Sequence, residues 1–151
     1  MELGIDLEII KKILSNYKGA GRRIEINFKN SDYLGIDDYA HHPTEIKATL
    51  AALQNLIPKR VIAVFQPHRY SRTKLLLEEF GRSFDLADYV IVSDIYPAGE
   101  APLEVVSATN IFNKIKENSR GKEIIYLPKE EISSHILKIM RTGDLIITLG
   151  A

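Results

Sequence analysis

The sequence predicts an α/β domain with a doubly wound, mostly parallel sheet, and two observations carry that expectation. Short apolar runs of strand type alternate with amphipathic stretches of roughly 10–15 residues, the pattern of successive βα units. Two of the runs, 60–65 and 144–149, are almost wholly apolar, as strands covered on both faces tend to be.

The elements follow in order. Over 5–17, Ile5, Leu7, Ile9, Ile10, Ile13 and Leu14 recur among charges at near-helical spacing, and 18–21 (KGAG) stops the helix. Arg22 and Arg23 lead into Ile24–Phe28, a period-two strand. Lys29–Asp32 has turn composition, and Tyr33–Ile36 is a short second strand. Pro43 suits a first helical position because it lacks an N–H. From there Ile46, Leu50, Leu53 and Ile57 form one face of a helix over 43–57. The strand at 60–65 precedes a helix bearing Leu76, Leu77, Phe80 and Phe84. Then come a strand at 89–93, a loop at 94–100, a helix at about 107–117, a strand at 123–127, a helix marked by Ile132, Ile136, Ile139 and Met140, and a last strand at 144–149.

Composition narrows the function. A chain of 151 residues, 45% hydrophobic and 26% charged, reads as globular rather than disordered. Twenty basic residues balance twenty acidic ones, so no global field draws in nucleic acid. The absence of cysteine excludes disulfides, thiolate metal sites and a cysteine nucleophile. No apolar run approaches the roughly 20 residues of a membrane span, and Glu2, Asp6, Glu8, Lys11 and Lys12 break any signal-peptide pattern at the start.

Three successive strand ends carry polar clusters: Asp37-Asp38-Tyr39 with His41-His42, then His68-Arg69 with Arg72, then Asp94 with Tyr96 and Glu100. In a parallel sheet all three lie on one edge, where ligands collect. The second cluster crowds cations at a helix start, which favours acidic neighbours, and no acid follows before Glu78. Either an anion sits among His68, Arg69 and Arg72, or Asp37, Asp38 or Asp94 pairs with them. A metal site from His41, His42, His68 and the aspartates is the weaker reading, because no HxH or HxxxH spacing occurs. His135 reads as an ordinary, partly buried helical histidine. No GxxxxGK[ST] phosphate loop is present, and Gly19-Ala20-Gly21 precedes a strand, so it is no dinucleotide fingerprint.

Taken together, GRRIE at 21–25, DDYAHHPTEI at 37–46, FQPHRYSRT at 65–73, DIYPAGE at 94–100 and GDLIITLGA at 143–151 resemble the C-terminal domain of the Mur ligases, in its alanine-adding branch. The resemblance covers essentially the whole chain. It implies a three-domain cytoplasmic enzyme of peptidoglycan synthesis that uses ATP and Mg2+ to join L-alanine to UDP-N-acetylmuramate through an acyl phosphate. The N-terminal and central domains would hold the UDP-sugar, the phosphate loop and the metal ligands. Residues 1–20 would then be a helix and linker from the central domain, and 21–151 a C-terminal domain cut short near its end. By motif, Arg23, Asp38 and Tyr39 would contact the nucleotide. His41, Arg69 and Arg72 would hold the alanine carboxylate, with His68 lining the pocket. Asp37, His42, Asp94, Tyr96 and Glu100 match family motifs without assigned roles. The resemblance implies no metal ligand in this domain, no membrane and no nucleic acid. The alternatives are a stand-alone metal-dependent α/β hydrolase and a non-catalytic nucleotide- or amino-acid-binding module.

Overall fold

Every apolar run expected as a strand pairs into one six-stranded sheet. The computed structural model describes residues 4–16, 20–119 and 121–151. Glu2, the expected helix end at 17, and Lys18 and Gly19 of its stop signal lie outside the described residues. The strands are β1 (Glu25–Lys29), β2 (Tyr33–Asp38), β3 (Arg60–Phe65), β4 (Tyr89–Val92), β5 (Glu123–Tyr126) and β6 (Asp144–Leu149), in the spatial order β1-β2-β6-β3-β4-β5. Only β1 is antiparallel, paired with β2 through a hairpin whose register shifts between Ile26 and Phe28. β6 lies between β2 and β3, parallel to both, with Leu149 level with Asp38 on one side and Phe65 on the other.

The helices are α1 (Leu7–Asn16), α2 (Pro43–Leu53), α3 (Tyr70–Leu75), α4 (Leu77–Gly81), α5 (Ala108–Asn118) and α6 (Lys129–Ile139). From β2 to β5 the chain steps in one direction, and Ile46, Leu50, Phe80, Ile111 and Ile115 bury one face of the sheet. Crossovers between parallel strands are right-handed, so the reversal from β5 back to β6 puts its helix on the opposite face. There Ile132, Ile136 and Ile139 of α6 cover Ile62, Val64, Tyr89 and Ile91. The sheet is therefore doubly wound and mostly parallel, as its sequence pattern predicts.

The larger layer centres on Phe65, whose ring lies 5.3 Å from those of Phe80 and Phe84. Reaching it requires a break in the expected single helix over the seventies. Leu76 leaves the helical region (φ −111°, ψ 22°), and α4 restarts at Leu77 in a new direction. Gly81 then lets α4 and α5 approach, since a Cβ there would stand 2.5 Å from Lys114 Cγ.

Two further expectations are corrected. The helix from Pro43 ends at Leu53 and passes into a 3-10 turn, leaving Ile57 left-handed and 86% exposed, so Ile57 is not part of the buried face. β2 runs on to Asp38, because β6 continues to hydrogen-bond it, and so carries both aspartates on the strand itself. At the periphery α1 buries none of its residues, and every residue of β1 is exposed.

Candidate functional site

The turn after β2 is held by its own side chains. His42 is the N-cap of α2 and Pro43 its first residue. Nδ1 of His42 accepts from Thr44 N–H, and Glu45 accepts from the backbone N–H groups of His42 and His41 at 3.0 and 3.1 Å, a reciprocal capping box. Burial works against ionised Glu45, yet those two N–H groups and the charges of the neighbouring imidazoles hold it below the usual carboxylate range. His42, a residue matched by motif without a role, is thus a helix cap. His41 turns the other way, with Nδ1 2.8 Å from Tyr39 O and its ring 5.5 Å from that of His68.

Asp38 is buried and ties three segments together. Its Oδ2 accepts from Ile24 N–H (2.7 Å), and its Oδ1 accepts from Ala40 N–H (2.9 Å) and the Thr49 hydroxyl (3.1 Å). A hollow of about 280 Å³ opens beside it, lined by Arg23, Ile24, Tyr39, Glu45 and Thr49. Arg23, Asp38 and Tyr39 therefore share one pocket, distinct from the histidine pair.

The end of β3 carries the cationic cluster. Arg72 Nη1 lies 3.1 Å from His68 Nδ1, and the His68 ring stacks on Tyr96 at 5.7 Å. Burial, followed by the charges of Arg72, His41 and Arg69, pushes His68 below the ordinary imidazole value, with Glu100 pulling against them. Arg69 is strained: φ 72° and ψ 137° lie where side chains crowd the backbone, and such positions concentrate at functional sites. Its N–H donates to Tyr96 O (2.9 Å), while Tyr96 N–H donates to Pro67 O (2.8 Å), so the loop after β4 grips this turn.

The acid expected from Asp37, Asp38 or Asp94 comes instead from Glu100. That carboxylate accepts from Ser71 N–H (3.0 Å) and the Ser71 hydroxyl (2.6 Å) and stands 3.9 Å from Arg69 Nη1. The helix begins at Tyr70 and runs for six residues, and the Ser71 N–H in its first turn is taken by Glu100. The guanidinium groups of Arg69 and Arg72 and the imidazole of His68 gather beside it at the carboxyl edge of the sheet. Asp94 is engaged elsewhere, accepting from the Tyr126 hydroxyl.

Arg22, expected only to lead into a strand, clamps the ends of β2 and β6. Its Nε donates to Asp37 Oδ2 (2.8 Å) and its Nη2 to Gly150 O (2.8 Å), while its guanidinium carbon sits 5.4 Å from the centre of the Tyr39 ring. With Asp37, Gln66, Ser93 and Thr148 it borders a cleft of about 260 Å³ on the α6 face. Ser93 Oγ is buried with no hydrogen-bond partner among the described residues. These hydroxyls had no signal in sequence, because Thr148 sits inside the apolar run of β6 and Ser93 directly ends that of β4.

Burial disfavours ionised Asp37, but hydrogen bonds from Arg22 and Thr148 and the charge of Arg22 outweigh it, and its pKa is lowered. A carboxyl with a lowered native pKa contributes stability above its unfolded value of about 3.9 and loses it as pH falls through the native value. The melting temperature is expected to drop between about pH 5 and pH 3 by less in Asp37→Asn than in the unaltered chain, as read by thermal melts at matched ionic strength. An equal drop would show that the clamp is neutral to folding.

The structure thus brings His41, His68, Arg69 and Arg72 to one edge and gathers Arg23, Asp38 and Tyr39 in a neighbouring hollow. Among the described residues no three His, Asp or Glu side chains converge as metal ligands. His135 lies on the opposite face, its Nε2 2.7 Å from the Tyr89 hydroxyl.

Comparison with known proteins places this geometry. Residues 22–151 match the family described as Mur ligase, glutamate ligase domain. UDP-N-acetylmuramate–L-alanine ligases of Sulfurihydrogenibium sp. and Pelotomaculum thermopropionicum are 49% and 48% identical over 99% of this chain, which spans 33% and 32% of their lengths. The chain thus covers about a third of these curated relatives. The crystal structure of the UDP-N-acetylmuramate–alanine ligase of Thermotoga maritima superposes with a TM-score of 0.74 at 27% identity, over 99% of this chain and 31% of that one. With a matching sheet, matching motifs and a family match from Arg22 to Ala151, the chain belongs to the Mur ligase C-terminal (glutamate ligase) domain family.

Proposed function

We propose that this chain is the amino-acid- and ATP-contacting C-terminal domain of a cytoplasmic ligase that joins L-alanine to UDP-N-acetylmuramate in peptidoglycan synthesis. The observation that carries the reading is the cluster of His41, His68, Arg69 and Arg72 at the carboxyl edge of the sheet, cationic forks beside two imidazoles. Fork-shaped guanidinium groups suit a small carboxylate. The hollow of Arg23, Asp38 and Tyr39 would take the nucleoside end of ATP. Asp38 Oδ2 accepts one protein hydrogen bond and keeps a lone pair for a ribose hydroxyl. Residues 1–20 would belong to a linker from a central domain, and 21–151 to this domain.

In the reaction, ATP phosphorylates the muramyl carboxylate, and the amine of alanine displaces phosphate from the acyl phosphate to form the amide. Mg2+, when bound, would neutralise charge on the transferring phosphoryl group. The described residues of this chain do not offer it a ligand set. Their task is to bind and orient the amino acid and the nucleoside.

The test is an assay of phosphate release with ATP, Mg2+, UDP-N-acetylmuramate and L-alanine. The 151-residue chain lacks a phosphate loop and is expected to release none above background, whereas a protein that joins it to N-terminal and central ligase domains should turn over. Turnover by the purified chain alone would favour a self-contained enzyme instead.

A further inference from the structure

The two imidazoles of the amino-acid pocket are held in opposite tautomers. A carbonyl oxygen can only accept. His41, with Nδ1 2.8 Å from Tyr39 O, therefore carries a hydrogen on Nδ1 and, when neutral, a lone pair on Nε2. A guanidinium can only donate. His68, with Nδ1 3.1 Å from Arg72 Nη1, therefore has its lone pair on Nδ1 and its hydrogen on Nε2. Among the described residues neither Nε2 makes a hydrogen bond, so each is free to meet a ligand.

Their surroundings differ in the same sense. The Glu45 carboxylate stands 3.9 Å from His41 Nδ1, where it would compensate an imidazolium. His68 is partly buried, backed by Arg72 and flanked by His41 and Arg69, with Glu100 pulling the other way, so a positive charge on its ring is opposed. The remaining titratable neighbours of His41 are His68, its ring 5.5 Å away, Tyr39, edge-on at 4.9 Å, and His42, which is occupied as a helix cap. An amino acid arrives as a zwitterion, and its ammonium cannot act as a nucleophile until it loses a proton.

We infer that the histidines divide the substrate between its two poles: His68 Nε2–H joins Arg69 and Arg72 on the carboxylate, and His41 Nε2 takes the proton from the α-ammonium. This rests on the amino-acid ligase reading above and adds a general base to it. In the step an N–H bond of the ammonium breaks and its electron pair stays on the nitrogen. The proton forms a new bond to His41 Nε2, and Glu45 faces the resulting imidazolium. Arg69 and Arg72 assist, because positive charge near the ammonium favours its neutral form. His41 is then a catalytic residue, while Glu45 and the Tyr39 carbonyl are positioning groups.

Two measurements test this. Ring 15N spectra of the 151-residue chain at about pH 8 should show His41 protonated on Nδ1 and His68 on Nε2, and the reverse tautomer at either ring overturns the inference. In the ligase carrying this domain, His41→Ala should lower kcat by about 100-fold or more while the alanine KM stays within about threefold. Glu45→Gln, which keeps the cap's acceptor and removes the charge facing His41, should lower kcat by about threefold or more while the alanine KM stays unmoved. If His41→Ala instead raises the alanine KM about tenfold with kcat intact, His41 is a carboxylate ligand and the base lies elsewhere, with the pocket itself upheld. Arg69→Ala in the same assay reports on the pocket separately. An alanine KM unmoved by that change would sink the functional reading whatever His41 does.

Discussion

Replacing Arg69 or Arg72 by alanine in a ligase that contains this domain is expected to raise the alanine concentration for half-maximal rate by at least about tenfold, the effect of one lost charge-assisted bond. ATP and UDP-sugar requirements should change far less. Arg69→Lys should also impair alanine use, because a point charge does not reproduce a planar fork. The structure adds a control that separates side chain from backbone. Arg69 sits at φ 72° and ψ 137°, a conformation costing a side-chain-bearing residue about 1–3 kcal/mol. Arg69→Gly should therefore lose alanine affinity as Arg69→Ala does while melting at a higher temperature than Arg69→Ala. Steady-state kinetics and thermal melts of the same variants decide the matter. If both alanine variants unfold the domain and the surviving enzyme keeps its alanine dependence, the arginines are structural.

A second large effect is expected at Asp38. Its carboxylate serves the N–H groups of Ile24 and Ala40 and the hydroxyl of Thr49. Asp38→Ala leaves those donors in a buried setting and should cost about 2–4 kcal/mol of stability in urea melts of this chain. In the ligase it should also weaken ATP use by roughly 10- to 150-fold, one charge-assisted hydrogen bond to a ribose, with alanine affinity spared. A stability loss with ATP dependence unchanged would make Asp38 a latch between the β1 segment, the β2 turn and α2, and would remove it from the nucleotide site.

The architecture was legible because β3 is buried along almost its whole length and β6 along most of it, and both leave apolar runs that no competing pattern obscures. The positions of the three polar clusters were legible for the same reason, since strand direction alone sets which edge they share. What escaped the sequence depends on contacts between distant segments. Helical spacing continued through Leu76, yet packing Phe80 and Phe84 against Phe65 demanded a break there. The acid beside the cationic turn is Glu100, 29 residues beyond Ser71, and local charge counting could not reach it. Arg22, unlike Arg23, carried no role by motif, and only a folded hairpin shows that it bridges Asp37 and Gly150. His42 belonged by composition to a ligand cluster, and its capping geometry gives it a structural task.

The position of β6 has a consequence for how the domain assembles. β6, the strand farthest in sequence from β2, is the one that joins β2 to β3. Until Asp144–Leu149 arrives, β1 and β2 form a hairpin with no ladder to β3, β4 and β5, and side-chain packing, that of Ile36 in the larger core and of His41 on His68, links the two parts. Pairings that close loops of about a hundred residues are slow to form, because chain entropy is spent before they reward it. During synthesis the growing chain therefore carries two unpaired inner edges, on β2 and β3, which are open to intermolecular pairing. Insertion of β6 removes both in one event. It also aligns the ends of β2 and β3 on either side of β6, so the histidine–arginine cluster and the hollow beside Asp38 come into register with its arrival.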